Sequence, residues 1–278
     1  MSQGFYLLAN DCVLEFAERF VESMRRTGSR LPLAVIPFDD ACDEIERLTR
    51  PYRSWFGHAD DLTRYDRLGE QFCPGDASCF RTFRKLVVFD GPFDEFAYFD
   101  ADIVLLVDPA ELLEPFSRSR AQLAYTDRDP KEVYPPGRFR EEMLGRYKSP
   151  CFNTGFFLSR RGVLSWRDLV RVAASAGPNR RHLSYRNDQG FLNYCVDVLG
   201  IETLEISELA DGLTRRQWAA REGIVRRDDG VFMADAREPD YGCRFPFVHW
   251  AGFDVAPSMP QRGLFEEFRS RAAHEEAL

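Results

Sequence analysis

The sequence predicts an α/β fold with a mainly parallel central sheet flanked by helices. Three observations predict it. Short apolar runs such as "GFYLLAND" (4–11) and "LPLAVIPFDD" (31–40) alternate with segments whose apolar residues recur near every 3.6 positions. The early runs are apolar at nearly every position, as strands covered on both faces are. Several end in carboxylates or amides, "AND", "FDD" and "FDAD". In parallel sheets ligands bind beyond the carboxyl ends of the strands, so these tails would share one crevice.

The elements follow in order. A strand over 4–11 leads to a helix in "CVLEFAERFVESMRRTG", with apolar spacing near 3.6 and a glycine stop. The second strand, "LPLAVIPFDD", precedes a short helix, "ACDEIERLT". Residues 51–77 read as irregular and rich in aromatics. "ASCFRTFRKLVVF" reads as one helix, and "DGPFDE" as the turn into the strand "FAYF" (96–99). After "IVLLVD" comes "PAELLEPF", a helix with proline in its first turn, then a candidate strand, "AQLAYT". Residues 126–150 are polar and proline-rich and read as a long loop, expected to be mobile; loops of that length are commonly functional. The strand "FNTGFFLS", a helix near 160–176, a helix or turn in "YRNDQGFLNYCVDVLG", and the strands "ETLEI" and "FPFVHWAGF" complete the body. A C-terminal amphipathic helix is expected over 262–278. With no repeat and no dividing linker, 1–278 reads as one domain.

Composition narrows the function. Of 278 residues, 44% are hydrophobic, enough for a substantial core, and no apolar run approaches the length of a membrane span. The stretch "MSQGFYLLANDC" has no basic region and soon meets Asp11, so a secretory leader is not expected. Seven scattered cysteines without a CxxC pair suggest free thiols and neither a zinc site nor a disulfide framework, so a reducing, cytoplasmic setting is expected. The net charge of −8 and the lack of a dense basic tract argue against nucleic acid as a partner. Only Lys85, Lys131 and Lys148 are lysines; the other basic residues are arginines, a bias that GC-rich coding would produce.

One stretch demands a chemical explanation. "FDEFAYFDADIVLLVD" (93–108) sets Asp100 and Asp102 one residue apart after an apolar run. On an extended strand the pair would share a face. Two carboxylates so close either bind a cation or force one pKa upward, and oxygen ligands suit Mg²⁺ or Mn²⁺. A bare DxD also serves to end a strand and start a turn.

"FRKLVVFDGPFDEFAYFDADIVLLVDP" resembles the core of the GT-A glycosyltransferases, especially retaining enzymes of the glycogenin and lipopolysaccharide galactosyltransferase type (family 8-like). "LLAND", "FNTGFFLSRRG", "NDQGFLN" and "FVHWAGF" resemble further segments of that group and occur in its order, across about residues 5–253. The resemblance implies a GT-A fold, Rossmann-like with the DxD at a strand end. It implies transfer of a sugar from a nucleotide donor, UDP-linked by preference, with Mn²⁺ (or Mg²⁺) held by Asp100, Asp102 and His249. It further implies donor contacts from Ala9, Asn10, Asp11, Arg84, Lys85, Asp100, Ala101, Thr154, Gly155 and Gly252. Catalytic positions would be Asp188, Gln189 and Asn153.

Each role has a plainer alternative: Asp11 as the cap of the helix that follows, Arg84 as an exposed helix charge with Lys85 its competitor, and His249 as a satisfied core histidine. The lysine that follows the H-x-x-G segment in the closest enzymes is missing, and Arg262 is the nearest later cation. The acceptor is open among bacterial polysaccharide, lipid-linked glycan, small molecule and protein. Retention is what the resemblance implies, and the departing phosphate could then take the acceptor's proton; an inverting enzyme would need a carboxylate base such as Asp127 or Asp129. Two rival readings are a haloacid dehalogenase-like phosphatase, which also uses a strand-end DxD, and a non-catalytic GT-A scaffold.

Overall fold

A computed structural model describes residues 1–220 and 223–269. Its strands are β1 (Gln3–Ala9), β2 (Leu33–Pro37), β3 (Arg53–Phe56), β4 (Glu95–Asp100), β5 (Ile103–Leu105), β6 (Leu123–Tyr125), β7 (Phe156–Arg160), β8 (Thr203–Glu205), β9 (Ile224–Arg226), β10 (Phe232–Ala234) and β11 (Phe247–His249). Seven form one sheet in the order β3-β2-β1-β4-β7-β6-β8. Within it β7 alone runs antiparallel to its neighbours. β9 and β10 form a hairpin, and β5 pairs antiparallel with β11.

The period of two along each strand sorts side chains between the two faces. Tyr6, Leu8, Ala34, Ile36, Phe96 and Tyr98 pack on one side, against Leu62 and Tyr65 and the helices Trp166–Ala176 and Gln189–Leu199. Phe5, Leu7, Val35, Ala97 and Phe99 pack on the other, against α1 (Leu14–Arg26) and the helix Ala110–Arg118. Both faces are covered, which explains strands that are apolar at every position. Each fully buried Phe or Leu contributes about 1.5–3 kcal/mol. A third cluster, around Trp250, Phe16, Val104 and Phe265, ties the C-terminal segment to α1 and β5.

The structure departs from the expected elements at several points. Residues 51–77 are not irregular: after α2 (Asp43–Thr49) they form β3 and α3 (Ala59–Glu70). In α3 only Leu62, Tyr65, Leu68 and Gly69 are buried, a stripe too sparse among charges to stand out. The expected single helix over 77–89 is α4 (Ala77–Phe80), capped by the Asp76 carboxylate, followed by a 3₁₀ stretch over Arg81–Asp90. The turn before α4, with Gly75 at φ +76°, joins Cys73 to Cys79 in a disulfide with Cα atoms 5.9 Å apart. The expectation of seven free thiols is therefore corrected for that pair.

Residues 126–150 are a chain of short helical turns rather than a plain loop: Pro130–Val133, Arg138–Glu142 and Met143–Tyr147. Asp129 caps the first, and Val133, Tyr134, Phe139 and Met143 are buried. In "FNTGFFLS" the strand starts only at Phe156, because the Asn153 side-chain oxygen takes the Gly155 N–H (2.8 Å) and holds a local turn. The C-terminal helix spans Arg262–Glu267; the expected continuation over 270–278 lies outside the described residues.

Candidate functional site

β4 delivers Asp100 at the end of the sheet's central strands, and the chain then turns through Ala101 and Asp102 instead of staying extended. What brings the second acid back is the β5–β11 ribbon. It registers Ile103 opposite His249, and the Trp250 N–H donates to the Asp102 carbonyl (2.9 Å). One ligand atom each from Asp100, Asp102 and His249 thus lies within 4.8 Å of the others.

The His249 Nε2 and Asp102 Oδ1 atoms face each other at 3.0 Å, both buried and with no hydrogen-bond partner besides each other. With the imidazole unprotonated at Nε2, two buried lone pairs would face one another, which is costly. A cation shared between them satisfies both, and a donor set of two carboxylates and one imidazole suits Mn²⁺. The residues present therefore fit a divalent metal. Burial alone would lower the His249 pKa, but Asp102, with Asp100 and Asp127 beyond it, outweighs burial and holds it above the ordinary imidazole value. Burial would likewise raise Asp102; His249 and Lys85 prevail, and its carboxyl is held below the usual range.

Gly155 makes this convergence possible. The backbone there lies so close that an added Cβ would overlap the His249 ring and approach Asp100 Oδ2 at 3.0 Å. The same backbone accepts the Asp100 N–H (2.8 Å).

Beside the triad sits a buried cation. The Lys85 ammonium lies 3.4 Å from Asp100, 3.2 Å from Asp188 and 3.3 Å from the Thr154 carbonyl, over the face of Tyr98. Burial would lower its pKa, but Asp100 and Asp188 raise it above the usual lysine value. Asp188 is buried too and its pKa is raised: desolvation exceeds the pull of Lys85, and Asp100 adds repulsion. The Thr154 hydroxyl donates to Asp188 (2.9 Å), and the Tyr98 hydroxyl donates to Asp100. Four carboxyl groups (Asp100, Asp102, Asp127 and Asp188) thus gather around Lys85 and His249, an acid-rich lining of the kind a cation site needs.

No protein-family model and no curated protein sequence matches the chain. Solved structures do. The galactosyltransferase LgtC in complex with donor and acceptor sugar analogues superposes with a TM-score of 0.60 at 12% identity, covering 96% of this chain and 95% of that one. The bifunctional glycosyltransferase WbbM matches at 0.60 and 13%, covering 97% of this chain and 50% of that one. Mouse xyloside xylosyltransferase 1 matches at 0.54 and 14%, covering 74% of this chain and 85% of that one. The chain has the GT-A fold.

On the GT-A sheet the expected residues separate into groups. Asp100, Asp102, His249, Lys85, Asn153, Thr154, Gly155 and Asp188 come together as described. Arg84 does not point where Lys85 does. A 3₁₀ turn rotates successive residues by about 120°, and Arg84 instead forms a bidentate pair with Asp66 (2.7 Å for both bonds) and donates to the Pro37 carbonyl. Lys85, weighed against it from the sequence, is the cation at the triad.

Asp11 does act as a cap, but for α2 rather than for the helix that follows, accepting the Glu44 (3.3 Å) and Ile45 (3.0 Å) N–H groups. Asn10 donates to Asp39 (2.8 Å), and Ala9 is buried at the end of β1. Gln189 uses both ends of its amide: the oxygen takes the Thr154 N–H (3.1 Å) and the nitrogen donates to the Glu132 carbonyl (2.9 Å). Gly252 sits at φ +80° in the turn after β11. Of the alternative bases, Asp129 caps the helix at Pro130 and Asp127 accepts the Gln217 N–H (2.8 Å). Arg262, the late cation, pairs with Glu266 and stacks over Phe265.

Two features of the site went unread in the sequence. Tyr98, which orients Asp100, was legible in principle, since it stands two residues earlier on the same strand. Segment 214–219, which pairs with β11, carries no periodic signal. An open cleft of about 610 Å³ beyond β2 and β3 is lined by Pro37, Asp39, Trp55, Phe56, His58 and Arg84 among others; the triad lies outside it. Among the described residues no helix is long and apolar enough to cross a membrane.

Proposed function

We propose that this GT-A chain is a metal-dependent glycosyltransferase that moves a sugar from a nucleoside-diphosphate donor, UDP-linked, to an acceptor hydroxyl. The observation that carries the reading is the convergence of the buried, facing atoms of Asp102 and His249 with Asp100 at the end of β4. Bound there, Mn²⁺ or Mg²⁺ would act as a Lewis acid that neutralises the diphosphate as the glycosidic bond breaks. Asp100 would be held in place for this by Tyr98 and Lys85, whose charge also favours the departing diphosphate. Thr154, Gly155 and Asp188 would border the donor sugar, with Asp188 taking sugar hydroxyls.

Apart from Asp102, assigned to the metal, the nearby carboxylates already have partners: Asp100 has Tyr98 and Lys85, Asp188 has Lys85 and Thr154, and Asp127 has the Gln217 N–H. That favours retention, with the leaving phosphate oxygen accepting the acceptor's proton while a fixed field stabilises the developing positive charge on the sugar. The GT-A sheet also stands against the dehalogenase alternative.

Mn²⁺ binding read by electron paramagnetic resonance, together with release of UDP from a panel of UDP-sugars, tests the reading. The wild-type chain should bind the ion and release UDP only with metal present, and Asp102→Ala and His249→Ala should lose both. Metal-independent release, or full Mn²⁺ binding by both variants, would overturn it. Mn²⁺ and donor binding without any turnover would favour the scaffold.

A further inference from the structure

We infer that Trp218 and Phe253 form a shelf on which a pyranose acceptor stacks beside the triad; this rests on the glycosyl-transfer reading above. The segment carrying Trp218 runs parallel to β11: His249 N–H donates to the Gln217 carbonyl (2.8 Å), and Ala219 N–H donates to the His249 carbonyl (2.7 Å). Trp218 is therefore the bridge partner of His249 itself. Paired residues on parallel strands project to the same face, so the indole stands on the face from which the imidazole meets Asp102.

The ring is large, rigid and half uncovered. Trp218 is 47% exposed, the second most exposed Trp or Tyr after Tyr241 among the described residues. Its indole N–H is already spent on the Ala251 carbonyl (3.1 Å), which fixes the ring against the turn after β11. Phe253, placed by its own N–H to the Trp250 carbonyl (3.0 Å), stacks on it at 5.9 Å and 30°. Lone exposed aromatics are ordinary. An oriented aromatic pair whose hydrogen bond is satisfied, on the strand partner of a candidate metal ligand, is a different thing: it offers only a π face.

A pyranose matches that surface. Its axial C–H groups stack on an aromatic face, while its rim of hydroxyls needs polar neighbours, and the exposed Asp254 directly follows Phe253 in the chain. A lipid tail or peptide would call for a deeper apolar groove. The glycosyl-transfer reading also requires a hydroxyl-bearing ring to be presented next to the donor, and the backbone pairing of Trp218 with His249 puts the shelf there.

The test uses the four indole N–H resonances of the ¹⁵N-labelled full chain, with Trp218→Phe identifying the one at issue, titrated with methyl glycosides of glucose, galactose, mannose and N-acetylglucosamine. At least one glycoside should shift the Trp218 resonance saturably. For that sugar as acceptor, Trp218→Ala should raise KM roughly threefold to tenfold, the size of one aromatic contact, with a smaller change in kcat, and Trp218→Phe should restore most of it. Shifts confined to the other three indoles, no shift at all, or an unchanged KM in Trp218→Ala would overturn the shelf. If the chain binds no UDP-sugar yet a glycoside still shifts Trp218 selectively, the transferase reading fails and the sugar site stands.

Discussion

Gly155 shows how much of this site depends on a single missing side chain. Its backbone takes a hydrogen bond from Asp100 and touches the His249 ring, so the position has no room for a methyl group. Gly155→Ala should push the imidazole out of register with Asp102. Overpacking costs about 1–3 kcal/mol, so the chain should fold with a lowered Tm while Mn²⁺ affinity falls at least tenfold, as measured by paramagnetic resonance titration. Unaltered Mn²⁺ affinity would show that the triad does not depend on this close approach. The residue scale is also where the sequence misleads most. Arg84 and Lys85 are neighbours of like charge, yet only Lys85 reaches the triad, because the 3₁₀ turn sends Arg84 to Asp66. Likewise Asp11 has the composition of a ligand and the position of a cap, and it caps a helix that no local signal links to it.

At the scale of elements, the helix Gln189–Leu199 ties the site to the turns of 126–150. Gln189 at its start holds Thr154 and Glu132, and Asn193 one turn on exchanges hydrogen bonds with the Phe152 backbone. Near its end Asp197 lies against Tyr134 (3.4 Å). Burial pushes the Asp197 carboxyl up to about 7, with Ser149 and Tyr134 only partly offsetting it. Its folded pKa exceeds the unfolded value of about 3.9, so its contribution to stability is full below about pH 4 and is lost as pH rises through about 7. Asp197→Asn keeps the side chain neutral throughout. The Tm of the variant relative to wild type should therefore climb as pH is raised from 4 to 8, followed by scanning fluorimetry. A constant difference across that range would sink the prediction.

On the scale of the whole molecule, the candidate metal centre joins chain segments far apart in sequence. Asp100 and Asp102 leave the central sheet, whereas His249 arrives on β11, anchored by Trp250 in a cluster that includes α1 and the helix Arg262–Glu267. A ligand bound across both parts should stabilise them together. Hydrogen exchange with Mn²⁺ and UDP should thus show added protection in β5 and in β11 alike, and Asp102→Ala should abolish it in both. Protection confined to β4 and β5 would mean that the C-terminal segment takes no part in binding.

How much of this was legible follows from the same physics. The alternation of apolar strands with amphipathic helices determined the α/β class, since strands covered on both faces must be apolar throughout. The order of the segments around Asp100, Asn153, Asp188 and His249 marked the residues that converge. Elements held by sparse contacts were not legible: α3 buries few side chains, and β3 is a half-exposed edge. The turns of 126–150 depend on packing against a helix that comes later in the chain. By itself, then, the sequence determined the class of the fold, because periodicity is a local property, while the candidate residues of the site came from the resemblance carried by its ordered segments. Only the tertiary structure decided that Lys85 rather than Arg84 serves the acids, that Asp102 meets His249 through the β5–β11 ribbon, and that the backbone of Trp218 pairs with that of His249. Those are consequences of backbone pairing and turn geometry between distant segments, which no local pattern encodes.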